Sequence, residues 1–435
     1  MLSYGVEWDD SISDPNCTRI GNPLLHKSLP IQSKLRGCVA NGAQINYYLD
    51  NYDWSLKEDG TASILDGTDG TVRVDTGSKF YGKSGSNGNK KWVRISTVKI
   101  DDSWFEIPRM LIDAYRCTVD TTDSSTPKAV SVVNTTAAFR GGSNSSSYDT
   151  YLDTDQFRTM LGKPRTSVNR ATMRTYAKNA GSELMCYEWY KWILYWLPVI
   201  EYATFNMQQA VNSQLTSDGY RQGGLGKGLT TADWIQWSKY NGNTPYTPCG
   251  YTNELGNQSG DKDLVIPAFE YDNSGTTVSV TSRTVKVNRY RGFENIFGDV
   301  WTNLDGIIIQ GIEQSDGTYV SKNVYTTTDS SKFGDASSNL TDMKISGIEV
   351  FSDGYTKTFD LGETAEIIPA TVGGSETTYK CDYHWTGNKD ASLRTLLVGG
   401  SAGNGGSAGL GYFDSSNGVG GAHAHVGFRT LNIIQ

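Results

Sequence analysis

Basic runs, paired cysteines and long apolar stretches are all missing from this chain of 435 residues. Its 39 Lys+Arg against 47 Asp+Glu leave a net charge of −8, with no local Lys/Arg cluster to offset it. Nucleic-acid phosphates are therefore disfavoured as partners. The six cysteines (Cys17, Cys38, Cys117, Cys186, Cys249, Cys381) are scattered with no CxxC pair. Metal and redox cysteine motifs are absent, and free thiols, or at most a single disulfide, are expected. The longest strongly apolar patch, "WILYWLPVI" (Trp192 to Ile200), falls far short of the roughly 20 residues a spanning helix needs, so no membrane insertion is expected. The start "MLSYGVEWDD" has neither a basic nor an apolar region of the signal-peptide kind. "GYRQGGLGKGLTTADW" (Gly219 to Trp234) fails as a phosphate loop, because Gly228 follows Lys227 where Ser or Thr is required. It reads instead as a loop in close approach to other backbone.

What is present is glycine and aromatic surface: Gly 48, Tyr 25, Trp 11, with charged residues at only 20%. Aromatics supply burial, so this is a loop-rich folded chain rather than a disordered one. Asp59-Gly60, Asp66-Gly67 and Asp69-Gly70 punctuate short apolar segments in the first hundred residues and predict hairpin turns. "KKWVRISTVKI" (Lys90 to Ile100) predicts a strand. A polar connection runs from Thr118 to Asp153. Helix follows, with Ser167 as cap, Val168, Ala171, Met173 and Tyr176 as apolar positions and Gly181 as stop. A second helical run places Trp189, Trp192, Ile193 and Trp196 on one core-facing stripe, with Pro198 kinking it or opening another helix. From Thr276 onward the pattern returns to β and ends in "LLV" (Leu396–Val398) and "VGFRTLNII", which read as strands bracketing a Gly/Ser/Asn/His-rich run. This order predicts an α+β chain whose sheet is completed by its own C-terminus.

One segment is more specific: "RYRGFENIFGDVWTNLDGIII", Arg289 to Ile309. It resembles the "N-x-x-G-N-V-W-E-W" signature of the formylglycine-generating-enzyme-like branch of the C-type lectin fold. The terminal "GFR" (Gly427, Phe428, Arg429) resembles its partner signature. With the ending "GGSAGNGGSAGLGYF", the chain is most similar to virion proteins of phages of gut bacteria, some of which are hypermutated there by diversity-generating retroelements. The resemblance implies a C-type-lectin-like domain with long loops over residues 106–435. A β-rich N-terminal domain over 1–105 would attach to the particle or build the oligomer. It implies a structural role for Arg291, Gly292, Glu294, Asn295, Gly298, Asp299, Trp301, Asp305, Gly427 and Arg429. The carboxylates of Glu294 and Asp299 and the amide of Asn295 suit it by bonding loop backbone groups that no sheet ladder satisfies.

The enzyme branch carries a cysteine pair near its C-terminus, whereas no cysteine follows Cys381 here, so no catalytic residues are expected. Relatives hold calcium through the signature Asn and Glu; Asn295 matches, but Thr302 stands at the Glu position, leaving Asn295 a weak calcium candidate and no cofactor expected. His423 and His425 would share one face of a strand, a pair that could hold a metal or simply make polar contacts in a display loop. The expectation is a non-enzymatic head or tail fibre or receptor-binding virion protein. Its ligand, a host-surface glycan or protein, would meet Asn404, Ser407, Tyr412, Phe413, Asp414, Asn417, His423 and His425. A homotrimer bound to other virion proteins is implied by resemblance, since the sequence has no heptad run. A purely structural capsid decoration role is the alternative, and a surface-glycan hydrolase a third.

Overall fold

Alternation of apolar residues sets the first sheet. In the computed structural model, which describes residues 2–149, 159–231, 245–271, 274 and 277–434, the strand Ser3–Asp9 lies between Thr18–Gly21 and Lys90–Ser96. Tyr4 pairs with Ile95 and Val6 with Val93, all four side chains turned into the core. Phe80–Asn87 and Phe105–Ile107 complete this five-stranded antiparallel sheet.

A second, six-stranded sheet runs Glu183–Leu184, Thr430–Ile433, Met110–Asp113, Thr71–Asp75, Arg36–Asn41, Gln44–Tyr48. The last strand of the chain thus sits inside a sheet built largely from its first quarter. One apolar core likewise joins Tyr4, Val39 and Val74 to Trp196, Ile307, Phe413 and Leu431. The boundary expected after residue 105 runs through this shared sheet and shared core.

The largest sheet has nine strands, with Trp301–Glu313 at its centre flanked by Tyr319–Thr326 and Arg394–Val398. With 38% of residues in strands and 15% in helices, the chain is β-rich and falls in the α+β or mostly-β class. Among the described residues no helix is long and apolar enough to cross a membrane.

Between the sheets lies the aromatic helical run, buried at every residue from Tyr187 to Tyr202. Its apolar and aromatic residues fill the core, and its three charged residues are buried in ion pairs, Lys191 with Glu188 and Glu366 and Glu201 with Arg291. It is interrupted: Tyr187–Tyr190 is α, Lys191–Trp196 is π, and α geometry resumes over Leu197–Tyr202. Pro198 has no N–H to give the preceding turn, so the wide turn falls immediately N-terminal to it.

Several sequence expectations shift in detail. The cap of Arg170–Asn179 is Asn169, whose Oδ1 accepts from Thr172 N at 2.9 Å. Ser167 is instead a left-handed residue at φ 56°. Asp59-Gly60 turns within a single antiparallel bridge, Leu56 with Ala62, while Asp66-Gly67 turns without flanking strands; the Asp59 and Asp66 carboxylates each accept the N–H two residues on. The polar connection holds a small antiparallel pair, Thr118–Asp120 with Lys128–Val130; its residues 150–153 lie outside the described residues. In the glycine-rich loop, Gly224 leaves room for the carbonyl of Met207, 2.6 Å from where a Cβ would stand; residues 232–234 of that loop lie outside the described set.

Candidate functional site

The Arg289–Ile309 signature turns through the left-handed region repeatedly, at Arg291, Gly292, Asn295, Gly298 and Asp299. Backbone bent this way cannot pair in a ladder, so side chains take over. Glu294 accepts from Gly250 N at 2.9 Å and from Thr252 N and Oγ1, both at 2.6 Å. Asp299 accepts from Tyr246 N at 2.8 Å and Thr247 N at 3.2 Å. Asn295 Nδ2 donates to Thr247 Oγ1 and to Asp299 Oδ2. Three side chains thereby fasten the loop 246–252. Burial pushes the Glu294 and Asp299 carboxyls up; Arg289 opposes this at Glu294, and the N–H of Tyr246 at Asp299.

The rest of the signature fastens larger pieces. Arg291 holds Glu201 of the buried helix through two bonds of 2.7 Å, and Asp305 holds Arg174 at 2.6 and 3.0 Å. Trp301 meets Tyr412 edge to face at 4.5 Å. Gly427 pairs in parallel with Thr302. Arg429 donates to the carbonyls of Asp113 (2.9 Å), Ala114 (2.7 Å) and Glu294. That last bond joins the two halves of the signature, 135 residues apart in sequence.

Calcium does not fit here. Asn295 Oδ1 is buried without a donor, but Arg116 sends its guanidinium to the Asn295 carbonyl and, at 3.3 Å, to Thr302 Oγ1. A fixed cation takes the place of the missing carboxylate and would repel a second.

The C-terminal run is not one display loop. Tyr412, Phe413 and Asp414 are buried at 4%, 0% and 7% exposure rather than turned outward. Phe413–Asp414 is a short strand wedged between Arg394–Val398, antiparallel, and Tyr383–Trp385, parallel. Phe413 enters the core and faces the His384 ring at 6.0 Å, while Asp414 accepts from Ser416 N and Asn417 Nδ2. The wedge splits the run into loops 399–412 and 415–425.

The first loop is pinned. Asn404 Oδ1 accepts from Ser401 N and Oγ, Gln208 Nε2 donates to the Gly405 and Ala408 carbonyls, and Tyr190 OH to that of Leu410. Gly409 is needed for close approach: a Cβ would stand 1.8 Å from Oδ1 of the buried Asp382. In the second loop His423 and His425 lie in a turn, not a strand, with rings stacked at 5.4 Å. Burial pushes His425 down to about 4, so it is neutral at physiological pH. Asn404, Ser407, Asn417, His423 and His425 remain half-exposed.

Sequence reasoning missed a buried cluster under this strand. Glu349 Oε1 accepts from Ser415 Oγ, stands 2.8 Å from His384 Nε2 and 3.3 Å from Lys322 Nζ. Lys322 also donates to Ser415 Oγ at 2.6 Å and Thr386 O at 2.7 Å. The residue types are those of a hydrolase, but the geometry is not. The serine hydroxyl bonds the carboxylate and ammonium rather than the imidazole, and all four side chains are at most 1% exposed. No linear spacing betrays four residues spread from 322 to 415. Their effect is to tie three strands, and the start of the loop after Phe413–Asp414, together from inside.

On the opposite face of Tyr383–Trp385, Tyr383 and Trp385 point away from His384, as strand alternation requires. Tyr355 is the register partner of Tyr383 at 5.2 Å, and Trp385 lies 6.3 Å beyond. No known family model matches the chain, and no curated protein is significantly similar to it.

Proposed function

We propose that this chain is a non-catalytic phage virion protein of the head- or tail-fibre kind, whose C-terminal region is a C-type-lectin-like domain presenting a surface to the host cell. The observation that carries the reading is a fixed framework that carries half-exposed polar side chains on its loops. Arg429 ties the terminal "GFR" to the signature at Glu294, and the strand Phe413–Asp414 anchors loops 399–412 and 415–425 between them. Small polar side chains on a rigid frame suit recognition, with Ser407, Asn417 and His423 offering adaptable hydrogen bonds. Tyr412, Phe413 and Asp414 then serve as the support of that surface. The nearest thing to catalytic chemistry in this region, the Ser415–Glu349–His384–Lys322 cluster, is closed to solvent.

A capsid decoration role is the second reading, favoured by Val320, Ile345 and Ile348, which are exposed on the outer two strands of the large sheet and would suit a neighbouring virion subunit or a trimer partner. Particles carrying Ser407→Ala, Asn417→Ala and His423→Ala together decide between them. Assembly intact with adsorption lost supports display; assembly and adsorption both unchanged supports decoration.

A further inference from the structure

We propose that the strip formed by Tyr355, Tyr383 and Trp385, ending in a small polar cavity beside loop 399–412, binds a neutral oligosaccharide. This rests on the display reading and names the chemistry of its ligand. Tyr383 and Trp385 lie on one face of their strand with rings 6.3 Å apart and tilted by only 36°. They form a shallow shelf, and Trp385 is 46% exposed. Tyr355 stands at 80° to Tyr383 and walls one side. From that wall the strip continues, because Tyr355 OH and Ser407 Oγ are 3.4 Å apart. Ser407 adjoins Gly406, which lines a cavity of about 160 Å³ together with Asn206, Gln208, Gln209, Lys227 and Glu376.

The two ends ask for different parts of one molecule. Aromatic faces carry partial negative charge and attract the C–H side of a sugar ring. The cavity offers amide, carboxylate and ammonium groups, which suit hydroxyls as both donors and acceptors. It is too small for a drug-sized ligand, which needs upward of roughly 300 Å³, so it admits one terminal sugar unit. A cationic partner fits less well. Lys227 accompanies Glu376 in the cavity, and Asp353 beside the shelf is engaged by Thr386 N and Oγ1. An apolar peptide would offer no polar group to the Glu376 carboxylate or the Lys227 ammonium of the cavity.

The test is tryptophan fluorescence and calorimetric titration of the full chain with hexose and N-acetylhexosamine oligomers of two to six units. Saturable binding by at least one oligomer is expected, weakened tenfold or more by Trp385→Ala and by Glu376→Gln, and largely kept by Trp385→Phe. Trp385→Ala should leave the melting temperature in place, since the ring is half in water. No saturable binding by any oligomer, or equal binding by Trp385→Ala, overturns the inference. Binding of a lysine-rich peptide in place of sugar overturns it too. If the chain binds host cells but no oligomer, the sugar inference alone falls; if it binds neither, the display reading falls with it.

Discussion

Replacing Arg429 with Met should be among the most damaging single changes in the chain. The guanidinium is buried and donates to three carbonyls, Asp113 O, Ala114 O and Glu294 O. Each bond from a charged donor is worth about 1.5–3 kcal/mol, and the carbonyls left behind have no water to turn to. Such losses do not add in full, and removing one partner of a buried charged network costs about 3–5 kcal/mol. Arg429→Met should therefore lower the unfolding free energy by about 3–5 kcal/mol. Arg429→Lys keeps the charge but loses the fork, and should recover only part of this. Urea unfolding followed by tryptophan fluorescence measures it, as a lowered midpoint at unchanged slope. A loss below about 1 kcal/mol, the level of an ordinary neutral hydrogen bond, would refute the view that Arg429 joins the two halves of the signature.

Phe413→Ala removes a fully buried ring from the short wedge strand and should cost about 3–5 kcal/mol in the same assay, whereas an outward-facing residue would cost almost nothing. Ser415→Ala should lower stability while leaving any cell binding intact; discovery of a hydrolytic activity that this variant abolishes would overturn the structural reading of the cluster. Asp382 is buried with its carboxylate accepting from Gly411 N, and burial raises its pKa well above the usual carboxylate range. A raised acid favours the protonated fold, so this contribution is complete below the unfolded value of about 4 and is lost as pH rises through the folded pKa. Asp382→Asn should therefore raise the melting temperature relative to wild type at pH 8 but not at pH 4; the same difference at both would contradict the assignment.

The parts of the fold legible in the sequence are those set by local pattern. Leu396–Val398 and the terminal "TLNI" showed as strands because runs of large apolar residues interrupt a glycine-rich background. The aromatic stripe showed as core through its helical spacing. Glu294, Asn295 and Asp299 could be read as loop fasteners because polar side chains among turning residues have few other uses. The rest depends on partners far away in the chain. "YFD" becomes a strand only because Tyr383–Trp385 and Arg394–Val398 leave a slot for it, and its two neighbouring glycine loops gave it the look of a surface. Across the boundary expected after residue 105, Thr71–Asp75 pairs with Met110–Asp113, a contact that leaves no local trace in either segment. The cap at Asn169 rather than Ser167 turned on two equally good capping residues two positions apart. The Lys322–Glu349–His384–Ser415 cluster had no linear trace, since each member came from a different segment.

The claim that matters most is that the half-exposed residues of the C-terminal loops form a recognition surface on a rigid frame. Binding of the purified full chain to host cells, compared with Ser407→Ala, Asn417→Ala and His423→Ala combined, tests it most directly. The triple variant should keep a melting temperature within experimental error of wild type and lose at least tenfold in cell binding. Undiminished cell binding by the folded triple variant would contradict it.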